Sequence, residues 1–235
     1  MNVQLKELFG KQIFCRPSTP DEAVAKSCFG GEFSVFLQLL RQIKCNFAVI
    51  DLGGYIGSAA IEFASLPNSH IISLEPSPEN FRMLLLNTLF YDNITPLWAA
   101  VGARERITHI YARHTGEWGH TLIENPKDCK ETSILGSVNV LTIESIARKY
   151  VTAEMPLAAI KVDIEGSEIE LLSDFQMLSK IPIVCIELHD RIIDGCSSAW
   201  HGFIKANPNR INISCGGEKH LSVDPVLLTQ LCKSR

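Results

Sequence analysis

A glycine-rich turn after an apolar segment is the first feature of this sequence with residue types suited to ligand chemistry. The stretch AVIDLGGYIG ends an apolar run in Asp51 and follows it with Gly53, Gly54 and Gly57. The spacing does not fit the dinucleotide fingerprint G-x-G-x-x-G, and the Gly-Lys-Ser/Thr of a Walker loop is absent. A carboxylate beside the turn would also repel phosphate. The turn is therefore predicted either to bind a cationic or donor-rich ligand, or to be a tight strand-to-helix connection without a ligand.

S-adenosylmethionine (SAM) has the chemistry that this turn favours, because it carries an ammonium and a sulfonium and no phosphate. Glycine lets the backbone approach the amino-acid part of such a ligand closely. In open parallel sheets, ligands bind beyond the carboxyl ends of the strands, which is where the turn is expected to lie. The residues predicted to contact SAM here are Asp51, Gly53, Gly54, Tyr55 and Gly57.

A second acid, Glu75, ends the next apolar run, 24 residues after Asp51. An acid at a neighbouring strand end can accept the hydrogens of both ribose hydroxyls, as in dinucleotide-binding folds. Alone, such a residue would be interpreted as a surface charge, but the preceding glycine turn favours a ribose contact by Glu75, Pro76 and Ser77. The third strand is expected to end near Ala100, where small side chains leave room for adenine or simply pack in the core.

Polar side chains also gather after two later apolar runs. Lys161, Asp163 and Glu165 share one side of an extended segment, because side chains alternate with a period of two, and Glu187 and His189 repeat the pattern. We predict Asp163, Glu165 and His189 as catalytic, with Asp163 accepting from the SAM ammonium or the substrate. His189 is predicted to take a hydroxyl proton near neutral pH. A satisfied buried network is one alternative. A magnesium site at Asp163, Glu187 and His189 is another, although no metal ligand is assigned.

The elements that must position these residues are predicted from alternating apolar runs and helical patterns. The runs are apolar almost throughout, which favours a parallel sheet covered on both faces and a doubly wound α/β domain. Residues 1–45 are predicted as an N-terminal cap, mostly helical from Ser34 to Lys44, and residues 46–235 as the ligand-binding domain. The predicted strands are Phe47–Leu52, His70–Leu74, Leu97–Val101, one starting at Val138, Leu157–Ile164, Ile183–Leu188, and a closing hairpin of Arg210–Ser214 and His220–Val223. The predicted helices are Gly57–Leu66, one starting at Ser77, one ending at Tyr150, and Gly166–Ser179.

Composition narrows the class of protein further. The chain has 235 residues, 46% of them hydrophobic, and a formal net charge of -4, which is too small to indicate a polyanionic partner. Without a dense basic patch, a nucleic-acid partner is disfavoured. The sequence has no apolar run of roughly 18 residues and no signal-peptide pattern at its start. The eight cysteines form no CxxC and are expected to be reduced and mostly buried. We therefore expect a cytoplasmic protein without a membrane partner, and leave a homodimer open.

Five motifs, in order, resemble the FkbM family of SAM-dependent methyltransferases. The resemblance implies a Rossmann-like class I methyltransferase fold with a seven-stranded, mostly parallel sheet and a reversed strand in the C-terminal hairpin. It also implies SAM as cofactor and a hydroxyl acceptor on a sugar or secondary metabolite. The motifs are VIDLGGYIG, SLEPSPENFRML, WAAVG, IKVDIEGSEIELL and VCIELH, and RPSTPDEAVAKSCFGGEF resembles a segment that precedes the core in many members; together they span most of residues 16–189.

One departure from the family concerns the glycine turn. The family typically has Ala-Asn where this chain has Gly54-Tyr55. Tyr55 is therefore expected to pack over the cofactor instead of bonding through an amide, with altered affinity or, at worst, lost activity as the consequence.

The acceptor is expected to contact residues outside these motifs. Residues 102–137 are polar and are predicted to be irregular, and binding residues concentrate in loops on a rigid scaffold. Trp118, His114 and His120 are candidates to stack on or bond a sugar ring, a solvated loop being the alternative, and the loop Asp190–Trp200 is a second candidate wall. The predicted function is a SAM-dependent O-methyltransferase for a small-molecule hydroxyl. The alternatives are a non-catalytic SAM-binding or scaffold protein and a nicotinamide-dependent oxidoreductase, which the glycine spacing argues against.

Overall fold

The N-terminal segment begins with a β-hairpin and continues into short helices. The sequence predicted a helical cap over residues 1–45, and this is wrong for its first part. Phe9 and Gly10 both have positive φ angles, 52° and 76°, as a two-residue type I′ turn requires, so the flanking residues pair as strands. The computed structural model describes residues 2–233, and this segment consists of β1 (Gln4–Leu8), β2 (Lys11–Cys15), α1 (Asp21–Ser27) and α2 (Ser34–Leu40).

The rest of the described chain alternates strands and helices, as the apolar runs predicted. The elements are β3 (Phe47–Leu52), α3 (Ser58–Ala64), β4 (Ser69–Leu74), α4 (Pro78–Thr88), β5 (Ile94–Leu97), β6 (Ala100–Val101), β7 (Arg106–Ala112), β8 (Ser133–Leu141), α5 (Ile143–Tyr150), β9 (Leu157–Val162), α6 (Glu168–Ser173), α7 (Gln176–Ser179), β10 (Ile183–Glu187), α8 (Cys196–Ala206), β11 (Ile211–Ser214), β12 (Lys219–Val223) and α9 (Pro225–Lys233).

A seven-stranded sheet forms the centre of residues 2–233. Its strand order is β11-β12-β10-β9-β3-β4-β5. Strand β12 is antiparallel to both of its neighbours, and the other pairs are parallel. The predicted mostly parallel sheet with a reversed strand in a C-terminal hairpin is therefore confirmed. Because β3, β4, β9 and β10 are parallel, their carboxyl ends meet at one edge of the sheet.

Each face of the sheet packs on its own hydrophobic core. On one face, Phe36 of α2, Phe63 of α3 and Met83 of α4 belong to one cluster. On the other face, Leu171 of α6 and Trp200 of α8 belong to a second. Strand β3, with the sequence FAVIDL, is buried over its whole length, which explains why it is apolar without alternation. This packing fixes the strand ends from which the site residues project.

Four local predictions differ from the structure. Residues 102–137 are not irregular throughout, because β7 pairs with β8 along its length. The predicted strand Leu97–Val101 is split: Ala100 and Val101 pair with β8 instead of continuing in the central sheet. The predicted helix Gly166–Ser179 is two helices, since Asp174 leaves the helical conformation at φ -131° and ψ 86°. Helix α9 was not predicted, and the loop predicted over Asp190–Trp200 ends at Cys196, where α8 begins.

Within residues 2–233, no helix combines the length and the apolar character needed to cross a bilayer.

Candidate active site

A cavity of about 280 Å³ lies at the edge where the parallel strands end. This volume is close to the lower bound for small-molecule sites. Leu52, Glu75, Asp163 and Glu187, at or just beyond the ends of β3, β4, β9 and β10, all line it. The N-terminal segment and the chain between β7 and β8 contribute further walls, with Val24, Ser27, Glu32, Trp118, His120 and Thr121.

The glycine turn is shaped by close packing against the neighbouring strands. Gly53 has φ +78°, and a Cβ there would lie 1.8 Å from the carbonyl oxygen of Asp163. A Cβ on Gly54 would lie 2.3 Å from Ser73 Oγ, and Gly57 has φ +94°. Gly53 lines the cavity, whereas Gly54 and Gly57 shape the turn without being among the lining residues. Glycine is therefore required at Gly53 for both conformation and space.

Asp51 supports the turn from behind. The strand register places it opposite Ser73 on β4 and Lys161 on β9. Ser73 Oγ donates to its carboxylate at 2.7 Å, and Lys161 Nζ lies 3.3 Å from Oδ1. Asp51 is fully buried and is not among the cavity-lining residues, and burial raises its pKa. The predicted contact of Asp51 with the cofactor thus stays a prediction. Its observed partners are Ser73 and Lys161, on the two neighbouring strands.

Lys161 joins Asp51 to the turn. Its ammonium donates to the carbonyl oxygens of Gly53 at 2.8 Å and Leu52 at 3.3 Å. Burial by itself lowers the pKa of Lys161, but the charges of Asp163 and Asp51 outweigh that effect and raise it, so the side chain is cationic. Asp51 therefore stands beside the glycines because it pairs with buried Lys161, whose ammonium binds the carbonyl oxygens of the turn.

Glu75 is held by backbone amides and faces the cavity. The amide of Tyr55 donates to Oε2 at 2.8 Å, and the amide of Ser77 donates to Oε1 at 2.9 Å. Burial raises the pKa of Glu75 to about 7, and these hydrogen bonds only partly oppose it. Asn80 Nδ2 also donates to Oε1, at 3.5 Å, so Oε2 is the oxygen that keeps a lone pair for a ribose hydroxyl. Pro76 and Ala100 also line the cavity, whereas Ser77 does not belong to the lining.

Tyr55 links the glycine turn to the N-terminal segment. Its hydroxyl donates to Asp21 Oδ1 at 2.5 Å, and Arg16 binds the same carboxylate through Nε and Nη2. The Tyr55 side chain lines the cavity, as a residue packing over a ligand would. Sequence reasoning missed Arg16 and Asp21, whose only signal was their place in the motif RPSTPDE.

The predicted catalytic residues converge on one histidine. His189 is fully buried, and Nδ1 lies 2.8 Å from Glu168 Oε1. Its Nε2 lies 3.6 Å from Glu165 Oε1, 3.7 Å from Asp163 Oδ1 and 3.9 Å from Glu187 Oε1. Asp163, Glu165 and Glu187 line the cavity, and His189 lies behind them.

The environment of His189 does not favour the predicted role as a base. Burial by itself lowers its pKa, but the hydrogen bond to Glu168 and the charges of Glu165 and Asp163 outweigh burial and raise it to about 9. A histidine with this pKa is protonated at neutral pH, so it cannot accept a further proton from a substrate hydroxyl. The acids in front of it are better placed to meet a substrate hydroxyl.

Other side chains from the segment between β7 and β8 complete the site. Trp118 and His120 line the cavity, whereas His114 is exposed and lies outside the lining. Burial lowers the pKa of His120 to about 4, so it is neutral. Arg113, which sequence reasoning missed, is buried and bonds Glu165 Oε2. Arg191 also lines the cavity and lies over the Trp118 ring at 5.7 Å.

The strand order and the cavity at its carboxyl edge define a Rossmann-like methyltransferase fold. A sequence profile described as "Methyltransferase FkbM domain" matches residues 51–207. The chain belongs to the FkbM methyltransferase family, and is therefore a SAM-dependent methyltransferase. A search of curated protein sequences finds no significant match to the chain.

Solved structures similar to this chain include several methyltransferases. An O-methyltransferase from Bacillus cereus in complex with SAH is 12% identical, with a TM-score of 0.46 over 83% of this chain and 80% of that one. Aeropyrum pernix fibrillarin with natively bound SAM is 12% identical, with a TM-score of 0.43 over 80% and 73%. An rRNA methylase from Streptococcus thermophilus is 9% identical, with a TM-score of 0.46 over 80% and 92%.

Proposed function

We propose that this protein transfers a methyl group from SAM to a hydroxyl oxygen of a small molecule. The observation that carries the proposal is the arrangement of one cavity. Glu75 lies at one part of its wall, and the carboxylates of Asp163, Glu165 and Glu187 line another part. The first can hold a ribose, and the second can accept a hydrogen bond from a hydroxyl group.

The residues around the cavity fit SAM in shape and charge. Among the described residues, Glu75 Oε2 accepts a single hydrogen bond, from the Tyr55 amide, and so keeps a lone pair for a ribose hydroxyl, while the small side chains of Ala99 and Ala100 leave room for adenine. Asp163 carries the charge that would pair with the ammonium. When bound, SAM supplies an electrophilic methyl group on its sulfonium. The turn, Glu75 and Asp163 would position it, and positioning of two reactants can account for roughly 7–11 kcal/mol of a barrier.

The acceptor side of the cavity favours a small hydroxylated molecule. Asp163 and Glu187 are partly accessible, with side-chain exposures of 31% and 26%, so a hydroxyl can reach them from the cavity. Trp118 and His120 offer an aromatic face and a neutral imidazole for a ring-shaped acceptor such as a sugar. The carboxylates there would repel a phosphate backbone, which disfavours a nucleic-acid substrate.

A screen of hydroxylated metabolites with methyl-labelled SAM tests this function. We expect label in a small-molecule product, with mass-spectrometric fragmentation placing the methyl group on oxygen. Glu75→Ala should abolish most of the product at limiting SAM, and exposed Glu79→Gln is the matched control. Transfer to nitrogen, carbon or RNA would overturn the assignment. SAM binding without turnover of any acceptor would instead favour the non-catalytic SAM-binding alternative.

The compartment, the oligomeric state and the absence of membrane and nucleic-acid partners are also proposals. All eight cysteines lie within the described residues and are free, which fits a reducing compartment such as the cytoplasm. Light scattering of the purified protein would decide whether the molecule acts as a monomer or as a homodimer, and vesicle and RNA co-sedimentation would test the expected absence of those partners.

A further inference from the structure

Three carboxylate oxygens surround the Nε2 atom of His189. Asp163 Oδ1, Glu165 Oε1 and Glu187 Oε1 lie 3.7, 3.6 and 3.9 Å from it. Candidate ligand atoms of Asp163, Glu165 and His189 all lie within 4.8 Å of one another. Asp163 and Glu165 follow β9, and Glu187 ends β10. These two strands are parallel neighbours, so their carboxyl ends bring the three acids together.

The opposite oxygen of each carboxylate faces a cation of the protein. Lys161 lies 3.3 Å from Asp163 Oδ2, Arg113 lies 2.5 Å from Glu165 Oε2, and Lys219 lies 3.6 Å from Glu187 Oε2. These pairs orient the acids. They leave one oxygen of each directed toward His189, where no lysine or arginine contact is found among the described residues.

The histidine is fixed so that its free nitrogen points at these oxygens. Its Nδ1 faces Glu168 Oε1 at 2.8 Å, and Glu168 in turn accepts the amides of Ile164 and Gly166 at 3.0 and 2.9 Å. With one proton on Nδ1 facing Glu168, Nε2 faces the acids and carries a proton when the imidazole is cationic or a lone pair when it is neutral. That atom is buried and has no hydrogen-bond partner within residues 2–233. Three carboxylate oxygens around one ring nitrogen are stabilised by positive charge between them, which is the proton on Nε2 when no metal ion is bound and would be the metal ion when one replaces that proton.

We propose that Asp163, Glu165 and His189 bind a divalent cation at the cavity wall. A cation bound octahedrally at about 2.1 Å separates neighbouring ligands by about 3.0 Å, so the observed 3.6 and 3.7 Å would shorten by about 0.7 Å when it binds. Carboxylates suit Mg²⁺ and Mn²⁺, and the imidazole shifts preference toward Mn²⁺ and other first-row metals. Glu168 is the outer carboxylate that orients a metal-binding histidine.

This cation would give the cavity a way to activate a hydroxyl. A metal ion lowers the pKa of an oxygen bound to it and orients that oxygen. This use of the site rests on the proposed O-methyl transfer, but metal binding itself does not. It can be measured on the protein alone, so failure of one proposal is distinguishable from failure of the other.

The test uses Mn²⁺ as the probe on the full chain after treatment with a chelator. Titration calorimetry should show one equivalent bound, with Mg²⁺ competing. Electron spin-echo spectroscopy of the bound Mn²⁺ should show coupling to one imidazole nitrogen. Glu165→Gln should weaken Mn²⁺ binding about tenfold or more. Asp128→Asn is the matched control, because Asp128 pairs with Arg113 and Arg191 in the same network but makes no contact with His189.

Three results would overturn the site. The first is no Mn²⁺ binding tighter than about 1 mM, the weak end of the range for protein calcium sites. The second is bound Mn²⁺ without nitrogen coupling in the wild-type protein, a readout that does not depend on any variant folding. The third is equal weakening in Glu165→Gln and Asp128→Asn, which would make the cluster a structural ion network.

Discussion

Replacing Glu75 by glutamine should weaken SAM binding and flatten its dependence on pH. The carboxylate accepts one backbone amide on each oxygen, from Tyr55 and from Ser77, and would accept a ribose hydroxyl through the remaining lone pair of Oε2. Glutamine has a single acceptor oxygen, so it cannot maintain all of these bonds. Loss of a hydrogen bond to a charged group costs about 1.5–3 kcal/mol. This corresponds to a roughly 10–150-fold increase in the Kd for SAM.

The pH dependence follows from the burial of Glu75. Burial raises its pKa to about 7, and the hydrogen bonds from Ser77 and Tyr55 offset this only in part. The carboxylate is mostly ionised at about pH 8 and about one tenth ionised at about pH 6, and an apparent Kd scales inversely with the competent fraction. SAM affinity of the wild-type protein should therefore fall about tenfold as pH decreases across this range, while that of Glu75→Gln should stay nearly constant.

Isothermal titration of SAM at several pH values measures both effects. Glu79→Gln removes the same charge from an exposed position four residues away and should leave affinity and pH profile unchanged. If Glu75→Gln binds SAM as tightly as the wild-type protein, Glu75 does not contact the ribose. If the affinity is lower but the pH profile persists, another group titrates and the reasoning from burial is wrong.

Two further substitutions test the support of the turn. Tyr55→Phe removes the hydrogen bond to charged Asp21 and should lower the free energy of unfolding in urea by about 1.5–3 kcal/mol; a loss of the same size in an Asp21→Asn background would contradict the assignment. Gly53→Ala should melt far below Gly10→Ala or fail to fold. Both glycines have nearly equal φ, +78° and +76°, but only Gly53 has a backbone oxygen in the way, and no described atom lies within 4 Å of a Cβ on Gly10. Equal melting temperatures in scanning fluorimetry would show that the contact at Gly53 relaxes without cost.

Much of the fold was predictable because its signals are local. The apolar runs identified β3, β4, β9 and β10, and their lack of alternation indicated burial on both faces. The hairpin at the N-terminus was missed, since its turn is Phe9-Gly10 instead of the Asn-Gly that usually marks a type I′ turn. The break between α6 and α7 was missed because the apolar stripe continues across Asp174, and periodicity alone does not register one non-helical residue.

The sequence by itself determined which residue types stand at the strand ends. A period of two was expected to put Asp163 and Glu165 on one side of an extended segment, but β9 ends at Val162 and Glu165 lies in a turn with φ 51°. The order of apolar runs and acids along the chain placed both acids after a strand, and glycine spacing excluded a diphosphate-binding loop. These properties depend on neighbours along the chain, so they can be worked out without coordinates.

Only the tertiary structure decided what those residues contact. Asp51 meets Lys161 because two strands pair in a particular register, and Tyr55 meets Asp21 across 34 positions of sequence because the N-terminal segment folds against the turn. The same holds for His189, whose orientation depends on Glu168, 21 residues earlier on a packed helix. Burial then sets the charge states of these groups. Register, packing and burial arise from contacts between distant segments, and no local spacing encodes them.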